Sequence, residues 1–122
     1  MKSSFFRAVV FISALFSISG AVAEGSISTL GAIDCGKWVE ARSGRKAISF
    51  EAYLVGFLDG VAFGSQTEFW MADGRQINAE QTYLWMDKYC RENPLTEIVN
   101  GAYKLMDERS RGAFRTKMMS TP

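Results

Sequence analysis

The sequence predicts an all-α fold, a compact bundle of about four helices held by one disulfide. Apolar residues recur at spacings of three and four along several segments, and capping residues stand where these segments begin. No segment shows the alternation typical of a half-buried strand. The chain has 122 residues, 48% hydrophobic and 22% charged, with only two prolines, which fits one globular domain.

The N-terminal segment has the pattern of a secretory signal peptide, which we place at residues 1–23. Basic residues precede an apolar run from Ala8 to Ile18, and Ala21-Val22-Ala23 has the small-x-small form that signal peptidase recognises. The run is too short to span a bilayer, which disfavours a membrane anchor. We therefore expect a periplasmic protein that begins at Glu24 and has no stable membrane span after signal cleavage.

Export determines how the two cysteines are interpreted. Cys35 and Cys90 both follow the signal segment, and an even number of cysteines in an oxidising compartment most often pairs. A redox enzyme usually carries a Cys-x-x-Cys motif, which the chain lacks. We expect a structural disulfide between Cys35 and Cys90.

The first half of the exported chain predicts two helices. Residues 24–33 are small and polar and indicate a flexible lead-in to a helical domain at 34–112. Asp34 can cap a short first helix, and Ser49 can cap a second. The second helix has an apolar stripe that should be buried, made of Phe50, Tyr53, Leu54, Phe57, Leu58 and Val61.

Three glycines recur every four residues in this second helix. Gly56, Gly60 and Gly64 each cost about 0.5 to 1 kcal/mol relative to alanine in a helix interior. In a membrane this pattern indicates helix dimerisation, but Asp59 lies within it and disfavours a span. We expect that another helix, or the segment around Cys35, packs closely against the glycine face.

The second half predicts a turn, two helices and a tail. Asp73-Gly74 marks the turn, and Asn78 with Gln81 predicts a capping box before an aromatic helix that runs to Cys90. Asn93-Pro94 then predicts the start of an amphipathic helix that ends near Gly112. Residues 113–122 are expected to form a frayed basic tail.

Composition excludes several function classes. The chain has no histidine, so it contains no serine triad and no histidine metal site, and we expect neither catalysis nor a cofactor. A formal charge of +1 is far from the basic excess of nucleic-acid binders. A glycan hydrolase using the carboxylate pair Glu51 and Asp59, or the pair Glu80 and Asp87, is an alternative, although acidic residues on helices are commonplace.

The aromatic and methionine content indicates a protein-binding function. Trp70-Met71 and Trp85-Met86 are the candidate partner-binding residues, because tryptophan is enriched at interface hot spots and methionine adapts to varied partners. Burial in the core is the alternative for each of them. A domain of this size buries a limited fraction of its own surface, which leaves a homodimer open as well.

The order of these blocks resembles the HdeA/HdeB type of small periplasmic acid-stress chaperone. The resemblance rests on Cys35-x-x-Trp38, on Tyr53-x-x-Gly56-x-x-x-Gly60, and on Tyr89-Cys90 followed by Asn93-Pro94 and a last amphipathic helix, and it spans Ile33 to Met106. It implies an all-helical protein with one disulfide between the first and third blocks. It also implies a protein that holds unfolded clients in an acidic periplasm.

A second resemblance is to the Tai-type immunity proteins of type VI secretion, which are exported helical proteins. Gly56-Phe57-Leu58-Asp59-Gly60 matches their Gly-x-x-x-Gly helix, although those proteins usually carry additional cysteines. This resemblance implies a protein that neutralises a periplasmic toxin by binding it. Both resemblances predict a protein partner, either many unfolded clients or one specific effector.

Overall fold

The structure, a computed structural model, describes residues 32–120. These residues form five helices and one short hairpin, in the order α1 Cys35–Ser43, α2 Ile48–Ser65, β1 Met71–Ala72, β2 Arg75–Gln76, α3 Ala79–Glu92, α4 Ile98–Arg109 and α5 Ala113–Ser120. The predicted all-α class is confirmed, with one helix more than the sequence predicted. The predicted signal peptide at 1–23 and the predicted lead-in up to residue 31 lie outside the described residues.

Helix α1 is fixed by contacts at its first residues. The Lys37 N–H donates to the Asp34 carboxylate at 2.7 Å, which confirms the predicted cap and lowers the pKa of Asp34. The Cys35 N–H donates to the Thr96 carbonyl oxygen at 2.8 Å. The predicted disulfide between Cys35 and Cys90 is confirmed and joins α1 to α3. The start of α1 is therefore held by α3 and by the segment before α4.

Helix α2 begins at Ile48, so Ser49 is not its cap. Ala47 precedes the helix, and no side chain caps the first turn. The predicted apolar stripe does form the inner face, because Leu54 and Leu58 are fully buried and the other members of the stripe pack against the core. The helix ends at Ser65 and is followed by Gln66, whose φ of 51° is left-handed.

The Asp73-Gly74 turn is confirmed and closes a two-residue hairpin. Both turn residues have positive φ, 54° and 70°, as a type I′ hairpin turn requires. Strands β1 and β2 pair antiparallel around it. Arg109 of α4 anchors this segment, because its guanidinium donates to the carbonyl oxygens of Phe69, Trp70 and Arg75 at 2.9, 3.0 and 2.9 Å.

Helices α3 and α4 differ in how well local signals predicted them. The Asn78 and Gln81 capping box is confirmed. The predicted start of α4 at Pro94 is wrong, because residues 93–97 form a turn and Leu95 is 98% exposed. Helix α4 begins at Ile98, whose N–H donates to the Ile33 carbonyl oxygen at 2.9 Å beside the cap of α1.

The predicted frayed tail is wrong for most of its length. Gly112 has a φ of 82°, which ends the preceding turn, and Ala113–Ser120 then form α5. Phe114 is buried and stacks on Tyr103 of α4 with ring centroids 5.8 Å apart. The helical domain therefore extends beyond the predicted boundary at residue 112 and reaches Ser120.

The core lies between the inner face of α2 and helices α1, α3 and α4. Its largest fully buried side chains are Trp38, Leu54, Leu58, Phe69, Met86, Ile98, Leu105 and Met106. Gly101 permits the close approach of α3 and α4, because a Cβ there would lie 2.6 Å from Tyr89 Cδ1 and 2.7 Å from Met86 Sδ.

Candidate partner-binding surface and interhelical charge network

The four predicted partner-binding residues do not share one environment. Met86 is fully buried beside Gly101, so its prediction as a binding residue is wrong for the folded protein. Met71 is half exposed on the hairpin. Trp70 is half-buried, and its indole N–H donates to Asp59 at 2.8 Å. Trp85 is half-buried and stacks on Tyr89 at 5.6 Å.

The predicted close packing against the α2 glycines is also wrong among residues 32–120. Gly56, Gly60 and Gly64 are exposed, and a Cβ built on any of them would meet no atom within 4 Å among the described residues. Together with Ile48 and Ala52 they form a stripe on the outer face of α2. The tightly packed glycine of this fold is Gly101, which the sequence analysis did not single out.

Substitution by alanine is expected to have opposite effects on stability at these two kinds of glycine. Gly56→Ala and Gly60→Ala are each expected to raise the free energy of unfolding by about 0.5 to 1 kcal/mol, because alanine favours the helix and has open space around it. Gly101→Ala is expected to lower it by about 1 to 3 kcal/mol through overpacking against Tyr89 and Met86. Urea denaturation measures all three. Destabilisation by Gly56→Ala would contradict an open glycine face.

An apolar groove lies between α4, α5 and the C-terminal end of α2. It consists of two cavities of about 500 and 470 Å³ that share Tyr103 and Met118, and we call it the α5 groove. Its apolar lining residues are Val61, Tyr103, Phe114, Met118 and Met119. Met118 and Met119 are 54% and 75% exposed. The groove therefore presents a contiguous apolar surface to solvent rather than scattered single residues.

The rim of the α5 groove is mainly basic. Lys104, Arg115 and Lys117 line the two cavities, with Asp107 as the acid among their lining residues. Arg115 pairs with Asp107, and the Lys117 ammonium donates to the Gln66 carbonyl oxygen. This groove was not predicted, because residues 113–122 were expected to form a frayed tail. The signal was present, since Phe114 and Met118 are one helical turn apart.

A second group of side chains joins three helices on another part of the domain. We call it the Arg42 cluster, and it consists of Trp38, Arg42, Glu51, Tyr83 and Asp87. Arg42 of α1 donates to both oxygens of Asp87 of α3, with Nε to Oδ1 at 3.1 Å and Nη2 to Oδ2 at 3.0 Å. Its Nη1 pairs with Glu51 of α2, and the Trp38 indole N–H donates to Asp87 at 2.8 Å.

The cluster is partly buried, and its contacts shift the pKa values of Arg42 and Tyr83. The side chains of Arg42, Glu51 and Asp87 are 24%, 22% and 16% exposed. The guanidinium carbon lies 5.9 Å from the Trp38 ring centroid and 5.6 Å from that of Tyr83. The hydrogen bonds that Arg42 donates to Asp87, and then to Glu51, raise the pKa of Arg42. Burial, followed by the negative charge of Glu51, raises the pKa of the Tyr83 hydroxyl.

This arrangement regroups the carboxylates that the hydrolase alternative paired. Glu51 and Asp87, taken from different predicted pairs, both contact Arg42. Asp59 instead accepts a hydrogen bond from Trp70. Within residues 32–120 no three or more His, Cys, Asp or Glu side chains are grouped so that they could hold a metal ion. Over the same span, no helix has the length and apolar character needed to cross a membrane.

No protein-family model, curated protein or solved structure matches the chain. The features of this protein that bear on function are the α5 groove, the Arg42 cluster, the Cys35–Cys90 disulfide and the export that the sequence predicts.

Proposed function

We propose that this is an exported helical protein that binds other proteins and holds unfolded clients when its compartment becomes strongly acidic. The Arg42 cluster carries the proposal. Two carboxylates, from α2 and α3, hold one guanidinium of α1, so three helices depend on ionised acids at one place. An acid-activated binder needs such a link, because its apolar surface has to stay covered at neutral pH.

Strong acid weakens this link, whereas mild acid does not affect it. The chain has no histidine, so no side chain with an ordinary pKa titrates between about pH 5 and 8. Strong acid protonates carboxylates, whereas a guanidinium stays charged, so the attraction between Arg42 and its two partners is lost. The protein also gains net positive charge, and self-repulsion opposes the compact state.

The disulfide directs where the opening occurs. Helices α1 and α3 stay joined through Cys35 and Cys90 whatever the pH. Helix α2 has no such covalent link, and Glu51 is its ionic contact with α1. Loosening of α2 uncovers its inner face, including the fully buried Leu54 and Leu58, as a surface for unfolded chains.

Light scattering of an acid-labile periplasmic protein tests the proposal. At about pH 2.5, where carboxylates are protonated, an equimolar amount of this protein is expected to suppress the aggregation of the client. At about pH 6 it is expected to have little effect. Arg42→Met, which removes the link without acid, is expected to shift suppression towards neutral pH. Unchanged aggregation at about pH 2.5 would contradict the proposal.

A second candidate function is neutralisation of one periplasmic effector, and the α5 groove favours it. The groove is open in the folded protein and needs no acid-induced change to meet a partner. An immunity protein of this kind would bind one effector tightly at neutral pH without suppressing acid aggregation. That combination of results would favour neutralisation over client holding.

A further inference from the structure

We propose that the α5 groove docks a helical segment of a partner protein that has an apolar face flanked by acidic residues. This inference rests on the proposed protein-binding function and names the chemistry that the groove would recognise. It concerns a surface separate from the Arg42 cluster, and it operates in the folded protein.

The shape and composition of the groove favour an apolar segment with two anchors. Its two cavities adjoin at Tyr103 and Met118, and each lies within the range of about 300 to 1,000 Å³ of ligand pockets. A segment that crosses Met118 can place one apolar side chain in each cavity. Met118 and Met119 are flexible and exposed, which lets them adapt to the anchors. Gly64 lines the first cavity and has no side chain to obstruct the approach.

Charge complementarity identifies the flanking residues of the partner. Lys104 and Arg115 border the second cavity and Lys117 borders the first, so cations stand at both ends of a bound segment. Asp107 is the one acidic lining residue of the two cavities, and its pairing with Arg115 offsets both charges. Lys104 and Lys117 give the rim its net positive charge. Acidic residues beside the anchors would therefore be attracted, whereas basic residues would be repelled.

A polar group in the first cavity is also available to a partner. The Ser65 hydroxyl is buried and has no hydrogen-bond partner among the described residues. A partner carbonyl or carboxylate that reached this hydroxyl would give it an acceptor. A purely apolar occupant would leave it unsatisfied.

The test uses two synthetic amphipathic peptides with the same apolar face, one flanked by glutamates and the other by lysines. Fluorescence anisotropy at neutral pH and low salt measures their binding to the folded protein. The glutamate peptide is expected to bind at least about tenfold more tightly than the lysine peptide, and its affinity should fall as the salt concentration increases. Equal binding of the two peptides, or no binding of either, would overturn the proposal.

Variants assign the binding to the groove. Three groove variants are each expected to lower the affinity for the glutamate peptide by about tenfold or more, namely Met118→Glu, Met119→Glu and Lys104→Glu. The first two remove an anchor contact, and the third reverses a rim charge. Leu95→Glu is the matched control, since Leu95 is 98% exposed and outside the groove, and it should leave binding unchanged. Circular dichroism checks that each variant remains helical. Full binding by all three groove variants would contradict the assignment.

Two other occupants are distinguished by additional measurements. Binding to anionic lipid vesicles but not to the glutamate peptide, lost in Met118→Glu, would assign the groove to a membrane surface and overturn the proposal. A dimer in sedimentation that Met119→Glu converts to a monomer, with no peptide binding, would assign it to a second copy and overturn it as well. A monomer that binds the peptide supports a partner protein.

The outcome is separable from that of the acid test. If Met118→Glu loses the peptide but still suppresses aggregation at about pH 2.5, the groove and client holding are independent and both stand. If the unmodified protein suppresses aggregation but binds no peptide, the groove proposal fails alone. If it binds the peptide but suppresses nothing, client holding fails alone.

Discussion

Reduction of the Cys35–Cys90 disulfide is expected to lower the free energy of unfolding by about 4 kcal/mol. The bond links residues 55 positions apart, and loop-closure entropy for a loop of this length gives about 4 kcal/mol at 25 °C. Both cysteines are buried, so the bond also fixes α1 against α3 inside the core. Urea denaturation of the oxidised and reduced protein measures the difference.

The cysteine variants provide the control for this prediction. Cys90→Ser and the double variant Cys35→Ser/Cys90→Ser should lose similar stability, because either one removes the whole cross-link. Reductant should then have no further effect on the double variant. Two thiols that react with a thiol reagent in the native, freshly purified protein would contradict a structural disulfide.

Short-range signals predicted the elements that are capped locally. The Asp34 cap and the capping box of Asn78 and Gln81 involve residues three positions apart, so the sequence contains the whole interaction. The Asp73-Gly74 turn is equally local, since positive φ at both positions is a property of those residues. These three features are present in the structure as predicted.

Features that depend on tertiary contacts were missed. The start of α4 is set by Ile33, which accepts from the Ile98 N–H across 65 positions of the chain, and Asn93-Pro94 gives no sign of that pairing. The Arg42 cluster joins residues 9 and 45 positions apart, and each of its acids alone has the pattern of a solvated helix carboxylate. The hydrolase alternative paired carboxylates along one helix, whereas Arg42 brings together one carboxylate of α2 and one of α3.

The glycines show why spacing alone does not determine packing. Gly56, Gly60 and Gly64 have a spacing typical of close helix contact, yet no atom of the described part of the chain would meet a Cβ there within 4 Å. Gly101 is isolated in the sequence and lies against Tyr89 and Met86. The difference lies in which face of each helix meets the core, and that is settled by neighbouring apolar residues rather than by the glycines themselves.

Loss of the Arg42 guanidinium is expected to have the largest effect among substitutions of charged residues. Arg42→Met should lower the free energy of unfolding near neutral pH by about 2 to 3 kcal/mol, because it leaves two partly buried carboxylates without their cation. One of them, Asp87, also accepts a hydrogen bond from Trp38. The expected loss is below the range for fully buried pairs, since the three side chains keep some solvent contact. Lys46→Met, which removes an exposed cation nearby, is the control and should change stability by less than about 0.5 kcal/mol.

The pH dependence of this loss identifies its electrostatic origin. The pKa of Arg42 is raised in the fold, so the charged guanidinium stabilises the protein at every pH below the range where arginine deprotonates. That stabilisation also requires ionised partners, so it weakens in acid strong enough to protonate carboxylates. The stability difference between the unmodified protein and Arg42→Met should therefore be large near pH 7 and become smaller as the pH falls into the acid range.

A double-mutant cycle separates this coupling from lost packing. Arg42→Met combined with Asp87→Asn should cost less than the sum of the two single changes near neutral pH, because each single change leaves the other group without its partner. In strong acid the two costs should become additive, since only the packing of Arg42 against Trp38 and Tyr83 remains. Additive costs at both pH values would show that Arg42 stabilises the fold by packing alone, and the acid-sensitive link between α1, α2 and α3 would then be absent.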